Sequence, residues 1–274
     1  MPARQPPLHR PARGLNAPAP IPPTSAFLVT CEHGGREIPE PYREYFAQHD
    51  GLLAGHRGYD PGALALAREL ADALHAPLLW SATSRLLVDL NRSPTNPARF
   101  SAISRTMPPA LRAEVQAHHY QPYRLDVEQS VDNGVRQHGQ VVHISSHSFT
   151  PVLDGRVRNA DVGFLYDPRR PAEAALCERW LEALQLRNPA LRLRRNYPYA
   201  GRSDGFCTWL RRHHDGSRYL GVELEVNQRH ATAGGPQWTA LRADIVAALL
   251  QAVGRTTGEM RAAGASRPGV NQMS

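Results

Sequence analysis

The sequence has few cysteines and no long apolar segment, and both features narrow the class of protein. Its three cysteines, Cys31, Cys177 and Cys207, are an odd number at unrelated spacings, so we expect neither a disulfide framework nor a cysteine zinc cluster. No apolar run approaches the ~18 residues that cross a membrane, and the first residues lack a secretory apolar segment. We therefore expect a protein of the reducing cytoplasm that does not enter a membrane.

Positive charge exceeds negative charge, and arginine rather than lysine supplies it. The 32 basic and 25 acidic residues give a net charge of +7, which favours nucleic acid, an anionic surface or acidic small molecules as partners. The sequence has no long basic run and little interleaving of basic and aromatic residues, so nucleic acid is not the expected partner. Because guanidinium groups bind carboxylates through a planar fork, part of the excess fits an arginine-lined carboxylate pocket.

The distribution of proline and glycine marks out one domain. Residues 1–25 hold eight of the 24 prolines and almost no large apolar residues, which predicts a disordered leader. Residues 255–274 are rich in Gly, Ala, Arg and Ser, which predicts a flexible tail. The remaining residues, 26–254, are long enough to bury the core of a single domain without a disulfide.

Short aliphatic runs alternate with segments of helical periodicity inside this domain. The predicted strands are residues 27–31, 86–90, 141–145, 162–166 and 219–226, and the predicted helices are residues 61–75, 109–130, 171–186 and 236–253. Pro61 suits the first position of its helix, and Asp60 before it suits the N-cap. The alternation predicts an α/β fold with a mixed β-sheet flanked by helices.

Polar clusters follow several of the predicted strands, which is where α/β sheets place ligand sites. The clusters are residues 31–35, 85–92, 143–150 and 223–227. His33 and His147 both lie where an apolar run ends, so their imidazoles can bind one metal ion if their strands are neighbours. His143 lies on the same strand face as His147 by the period of two, and it is the competing ligand.

A catalytic zinc ion usually has three protein ligands, so a third donor is required. Asp60 and Glu37 are the candidates. Asp60 has the alternative role of a helix cap. Glu37 lies four residues after His33, but Pro39 disfavours the regular helix that would place both on one face. We therefore prefer Asp60.

Two further groups of charged residues can take part in chemistry. Arg85, Asn91 and Arg92 bracket the predicted strand 86–90 and suit a substrate carboxylate or a developing oxyanion, although the arginines could instead pair with acids such as Asp89 at the surface.

Glu223 and Glu225 share one face of an otherwise apolar strand. Because a buried glutamate without a function is rare and costly, one of them is predicted to be a general base whose pKa is raised by burial.

Residues 201–205 match the G-x-S-x-G pattern of serine hydrolases, with Ser203 as the nucleophile. That motif requires an apolar strand before the serine, whereas residues 196–200 contain one proline and two tyrosines. A loop from which Asn196, Tyr199 and Arg202 reach a substrate fits the segment better. A serine hydrolase and a basic binding protein without catalysis remain the alternatives to a metal-dependent hydrolase.

Taken in order, six segments resemble the N-formylglutamate amidohydrolase family. They are His33-Gly-Gly, residues 59–63 (Tyr-Asp-Pro-Gly-Ala), residues 84–94 with their Asn91-Arg92 pair, residues 147–151, residues 196–199 and residues 223–226. The resemblance implies a fold similar to zinc carboxypeptidases, of the phosphorylase/hydrolase-like type, and to aspartoacylase and succinylglutamate desuccinylase. It also implies a divalent metal, usually zinc, and cleavage of a formyl or other acyl group from an acidic N-acyl amino acid.

The resemblance implies roles for the metal-binding and reacting residues. His33, Asp60 and His147 match the family's metal ligands. Glu225, rather than Glu223, matches the base that acts on the attacking water, and Arg85 resembles the arginine that polarises the scissile carbonyl.

Substrate binding is implied for a second group. Asn91 and Arg92 resemble the pair that binds the α-carboxylate, and Tyr199 and Arg202 remain candidate substrate-binding residues. The sequence departs from the carboxypeptidase His-x-x-Glu pattern, because Arg36 occupies the place of that glutamate. The third metal ligand is therefore the least constrained part of the expected site.

Overall fold

The computed structural model describes residues 21–255. The leader and tail expected for residues 1–25 and 255–274 lie mostly outside this range. Within the expected leader, Ile21 is buried in the main hydrophobic core. No helix within the described range is long and apolar enough to span a bilayer.

A mixed β-sheet of six strands forms the centre of the domain. In chain order the strands are β1 (Ala26–Cys31), β2 (Leu78–Trp80), β3 (Val141–Phe149), β4 (Val152–Leu153), β5 (Arg156–Val157), β6 (Val162–Leu165), β7 (Leu193–Arg195) and β8 (Tyr219–Asn227). The sheet has the order β2-β1-β3-β8-β6-β7, while β4 and β5 form a separate hairpin. Neighbours pair in parallel except β6 and β8, which pair antiparallel.

Helices cover both faces of the sheet. They are α1 (Arg43–Phe46), α2 (Asp50–Ala54), α3 (Ala63–Leu74), α4 (Pro109–Val115), α5 (Gln121–His138), α6 (Pro171–Arg187), α7 (Phe206–Arg211), α8 (Gln228–Ala233) and α9 (Gly235–Ala252). Apolar residues of α3, α6 and α9 pack on one face, in the main core. Residues of α5 and α7 pack on the other face, where Leu28, Val141 and Tyr219 project.

The predicted α/β class, with one mixed sheet between helices, is confirmed, and the four predicted helices are present. The helix predicted from residue 61 begins at Ala63, because Gly62 before it has a φ of +83°, a conformation that favours glycine. The helix predicted over 109–130 continues to His138 as α4, a π-helical turn (Gln116–Tyr120) and α5.

The strand predicted over residues 86–90 is wrong. The amide groups of Leu86 and Leu87 bond to the side chain and carbonyl of Ser84, which closes a turn instead of extending a sheet. The segment is apolar because Leu87, Val88 and Leu90 are buried in a second hydrophobic cluster outside the sheet. A buried loop and a buried strand require the same apolar residues, so their composition does not distinguish them.

Leu87 tests whether this loop belongs to the folded core. Its side chain is fully buried, so Leu87→Ala is expected to lower the free energy of unfolding by about 2–5 kcal/mol. Chemical denaturation measures this value. Leu186→Ala is the matched control, since Leu186 is 78% exposed and its truncation is expected to change stability by less than about 0.5 kcal/mol. Equal effects of the two substitutions would show that the loop is not packed as described.

Candidate active site

The polar residues of three neighbouring parallel strands meet near the carboxyl ends of those strands. Thr30 of β1 pairs with Ser145 of β3, which in turn pairs with Glu223 of β8. Two residues further on, His147 pairs with Glu225. Because paired residues of parallel strands project from the same face, these side chains form one continuous polar surface.

His33, Asp60 and His147 form a buried group able to hold a metal ion. One ligand atom from each residue lies within 4.8 Å of the others, and the two imidazole centroids are 5.0 Å apart. The Nδ1 atoms of His33 and His147 lie 3.4 and 2.9 Å from the same oxygen, Asp60 Oδ2. Two imidazoles and one carboxylate are the donor types that zinc prefers, so the three residues fit a divalent cation. The condition that the two histidine strands be neighbours is met.

Asp60 does not cap α3 with its side chain. The N-cap of that helix is Gly62, without a side-chain hydrogen bond, while the Asp60 carboxylate faces the two histidines. Burial raises the pKa of Asp60, but His33 and His147 outweigh that effect and hold the pKa well below its usual range. The carboxylate is therefore ionised and available as a ligand at neutral pH.

The two competing ligands lie apart from this group. His143 is fully buried, with Nε2 2.8 Å from the hydroxyl of Thr30 and Nδ1 2.8 Å from the hydroxyl of Tyr219. Burial lowers its pKa to about 4, so this imidazole is neutral and engaged at both nitrogens. Glu37 is exposed, and its backbone bridges to Thr83.

Asp89 connects the metal-binding group to the neighbouring functional residues. Its Oδ1 lies 2.7 Å from His33 Nε2 and accepts the backbone N–H of Asn91 at 3.1 Å. Its Oδ2 accepts an N–H of Arg85 at 2.7 Å, and Arg85 also reaches Asp60 at 3.4 Å. The pairing of Arg85 with Asp89 considered from the sequence thus exists, but inside the site rather than on the surface.

Asn91 and Arg92 lie on the opening of the site, and both retain free donors. The backbone N–H of Phe206 donates to Asn91 Oδ1 at 2.6 Å, and Arg92 donates to the carbonyl of Asp204 at 2.7 Å. Within residues 21–255 the side-chain amide nitrogen of Asn91 has no hydrogen-bond acceptor. Both side chains are partly exposed, so their remaining N–H groups can meet a ligand.

Glu225 is buried beside His147, and its Oε2 has no hydrogen-bond partner within the described residues. Burial raises its pKa to about 8, with Asp60 and Glu223 adding to the effect against His147 and Arg85. Burial also raises the pKa of Glu223. A carboxyl group with a pKa near neutrality can both take and return a proton, which is what a general base requires.

A family model described as N-formylglutamate amidohydrolase matches residues 25–231. The chain belongs to the N-formylglutamate amidohydrolase family. It is therefore a hydrolase that acts on amide bonds, and its substrate is a small molecule. The resemblance found in the six sequence segments is confirmed.

Two solved structures share the fold of this amidohydrolase. The gene product Atu2144 from Agrobacterium tumefaciens is 29% identical, with a TM-score of 0.70, over 84% of this chain and 91% of the other. The N-formylglutamate amidohydrolase from Ralstonia eutropha JMP134 is 18% identical, with a TM-score of 0.57, over 89% of this chain and 97% of the other. At that identity the second likeness shows a common fold alone. No curated protein matches the chain.

Residues of the 196–205 loop that were expected to reach the substrate have different environments in the amidohydrolase. Tyr199 is exposed, and its hydroxyl accepts an N–H of Arg158 at 3.2 Å, with the Arg158 guanidinium 5.1 Å from the centre of the Tyr199 ring. Asn196 instead stabilises the loop, since its Oδ1 accepts the backbone N–H groups of Tyr166 and Gly201. The expectation that Asn196 reaches the substrate is therefore not supported by its contacts.

Arg202 and Ser203 are exposed, and neither side chain forms a hydrogen bond with a residue of the candidate site within the described part of the chain, although Asp204 after them accepts an N–H of Arg92. Arg202 lines a separate cavity of about 540 Å³, together with Asp167, Arg169, Arg170, Thr208, Arg211 and Arg212. Ser203 is exposed within a turn, and no hydrogen bond joins its hydroxyl to a histidine in the described part of the chain. A serine nucleophile at this position has no base to activate it.

Glu32 was not assigned a role from the sequence, although it belongs to the first polar cluster. Its side chain is fully buried. Its Oε2 accepts the hydroxyl of Ser145 at 2.7 Å and lies 3.3 Å from His147 Nε2. The available signal was its position two residues after Thr30, on the polar face of β1, but using it required the knowledge that β1 and β3 are neighbours.

The raised pKa of Glu225 predicts a pH-dependent cost to the stability of the metal-free protein. A carboxyl that titrates near 8 when folded, but near its ordinary value when unfolded, makes the protein less stable as pH rises between those values. Glu225→Gln removes this cost. As pH rises from 5 to 8, the unfolding free energy of the variant should therefore increase by about 2–4 kcal/mol relative to that of wild type.

Denaturant titrations of both metal-free proteins at the two pH values measure this gain. Glu182→Gln, on the outer part of α6, is the control and should show no pH-dependent difference. An equal stability difference between Glu225→Gln and wild type at both pH values would contradict the raised pKa.

Proposed function

We propose that the chain is a zinc-dependent amidohydrolase that removes a formyl or another small acyl group from an acidic N-acyl amino acid such as N-formylglutamate. The observation that carries this proposal is the unpartnered carboxylate oxygen of Glu225 beside the His33–Asp60–His147 group. Family membership supports amide hydrolysis. The cytoplasm is the proposed location, which the three free and buried cysteines support.

The proposed metal ligands are His33, Asp60 and His147. When bound there, a divalent cation supplies Lewis acidity that activates water and polarises a carbonyl group. The three residues come from different elements: His33 follows β1, Asp60 precedes α3 and His147 belongs to β3. Each is buried, so bulk water competes little for the ligand atoms.

Glu225 is the proposed general base. Its carboxylate takes a proton from the attacking water and returns it to the leaving amine nitrogen, so that the group ends the cycle as it began. Burial supports this role, because it raises the proton affinity of the carboxylate to the range that operates near neutral pH.

Arg85 is the proposed donor to the oxyanion that develops on the scissile carbonyl. Its guanidinium is 26% exposed, and its bonds to Asp60 and Asp89 hold it in place. A guanidinium has five N–H donors, so these two contacts leave others for the substrate. A donor that is already oriented stabilises a developing charge without further reorganisation.

Asn91 and Arg92 are the proposed ligands of the substrate α-carboxylate, with Tyr199 at the rim. Both project donors at the opening, and Asp204 and Phe206 hold their other atoms. The arginine excess of the sequence is consistent with this pocket. The proposed site does not include Arg202, because that side chain lines the separate cavity.

The role of Glu225 is tested by Glu225→Gln. Removal of a general base is expected to lower kcat by about 10²–10⁴-fold, while the purified variant keeps its zinc as measured by elemental analysis. Glu223→Gln is the matched comparison and should cost less activity. Loss of zinc from Glu225→Gln would reassign the residue to a ligand role, and a larger loss of activity in Glu223→Gln would exchange the two glutamates.

The carboxylate pocket is tested by Arg92→Ala. Loss of a charged hydrogen bond worth about 1.5–3 kcal/mol is expected to raise KM for N-formylglutamate by about 10–100-fold, with a smaller change in kcat. The KM of wild type for N-formylglutamate whose α-carboxylate is converted to an amide should rise by the same factor. The KM of Arg92→Ala for this amide should differ little from its KM for N-formylglutamate. Arg202→Ala is the control, and its KM should match wild type. An unchanged KM for Arg92→Ala would remove Arg92 from substrate binding.

A further inference from the structure

Each of the two histidines proposed as metal ligands is held at both ring nitrogens. The Nδ1 atoms of His33 and His147 converge on one oxygen of Asp60, at 3.4 and 2.9 Å. The Nε2 atoms face two different carboxylates. For His33 this is Asp89, at 2.7 Å. For His147 it is Glu32, at 3.3 Å.

Ser145 joins Glu32 to His147 more closely. Its hydroxyl donates to Glu32 Oε2 at 2.7 Å and lies 2.9 Å from His147 Nε2. A hydroxyl that donates to the carboxylate has its lone pairs left for an N–H of the imidazole. The three side chains therefore form a chain in which each hydrogen bond sets the direction of the next. The pairing of Thr30 with Ser145 brings the end of β1, and so Glu32, to this point.

The burial of Glu32 is costly and is only partly compensated. The side chain is fully buried, and its Oε1 has no hydrogen-bond partner within residues 21–255. Removing an ionised carboxylate from water costs several kcal/mol, and an apolar residue of similar volume is often the more stable alternative. Stability of the fold alone therefore does not account for an acid at this position.

We propose that Glu32, acting through Ser145, and Asp89 are positioning residues that keep a proton on Nε2 of His147 and of His33. A carboxylate can only accept hydrogen bonds, so the nitrogen that faces it carries the proton. The Nδ1 atoms also face a carboxylate, that of Asp60, so a cation bound between them and Asp60 would take the place of any Nδ1 proton, while Nε2 keeps its own. This inference rests on the proposed function, in which those two nitrogens bind the metal.

His143 shows the contrast. It lies on the same face of β3, but its neighbours are the hydroxyl groups of Thr30 and Tyr219. Hydroxyls both donate and accept, so they do not impose one tautomer on the ring. The carboxylates are thus placed at the two histidines that face Asp60 and not at the third histidine of the polar face.

The test is the affinity of the metal-free protein for zinc alone, measured by competition with a chromophoric chelator. Glu32→Gln keeps the shape of the side chain and removes its charge. We expect zinc to bind about 10–100-fold more weakly to this variant and to Asp89→Asn, as for other outer carboxylates of metal sites. The absorption spectrum of the cobalt-substituted proteins should also change, because the orientation of the imidazoles determines the ligand field.

Glu173→Gln is the matched control. Glu173 is also fully buried, but it pairs with Arg211 and accepts the backbone N–H of Gly221, away from the three proposed ligands. Its substitution should lower the Tm and leave zinc affinity unchanged. If Glu32→Gln does not fold, Ser145→Ala removes only the bridging hydroxyl and should weaken zinc binding in the same direction.

The outcomes separate the two levels of the proposal. Wild-type protein that binds no zinc would overturn the proposed function and this inference with it. Wild-type protein that binds zinc, with Glu32→Gln, Ser145→Ala and Asp89→Asn all within twofold of its affinity, would overturn the inference alone. A weaker affinity in Glu173→Gln equal to that of Glu32→Gln would also overturn it, because the effect would then follow any loss of a buried acid.

Discussion

The parallel pairing of β3 with β8 is the constraint on which the site depends. It sets His147 beside Glu225 and Ser145 beside Glu223. Because side chains alternate between the faces of a strand, a shift of one residue would move this whole polar set to the opposite face. On that face Ile144 and Leu224 are buried in the main core. The same apolar packing that stabilises the sheet therefore holds the reacting groups in register.

The site concentrates acids in the interior, and most of them have a positive partner. Asp60 and Asp89 face Arg85 and the histidines, which lower the pKa of both carboxylates despite burial. Glu32 faces His147, and its pKa is held at about 2. Glu223 and Glu225 differ, because burial raises the pKa of both instead. The electrostatic cost of burial thus remains uncompensated at these two carboxylates, one of which is proposed to move a proton, and such a cost is a common compromise between stability and activity.

Strands and loops contribute different groups to the site. Strands β1, β3 and β8 supply or shortly precede His33, His147 and Glu225, whereas Asp60 comes from the turn before α3. The loops over residues 84–92 and 196–205 supply Arg85, Asn91, Arg92 and Tyr199, which are proposed to meet the substrate. Asp89 joins the two parts, since it contacts His33, Arg85 and Asn91. Amide hydrolysis belongs to the family, whereas the residues proposed to choose the acyl group and the amino acid lie on the loops.

The sequence by itself determined the α/β class, the four long helices and the positions of His33 and His147 near the carboxyl ends of strands, although β3 continues past residue 145 to Phe149 and contains His147, because periodicity and the placement of proline are local properties. The resemblance to the family also indicated Asp60, Arg85 and Glu225. Local pattern could not separate the buried loop over residues 86–90 from a buried strand. Only the tertiary structure decided that Glu32 lies against His147 and that Arg202 lines another cavity, because contacts between residues distant in the chain depend on strand order, which no local pattern encodes.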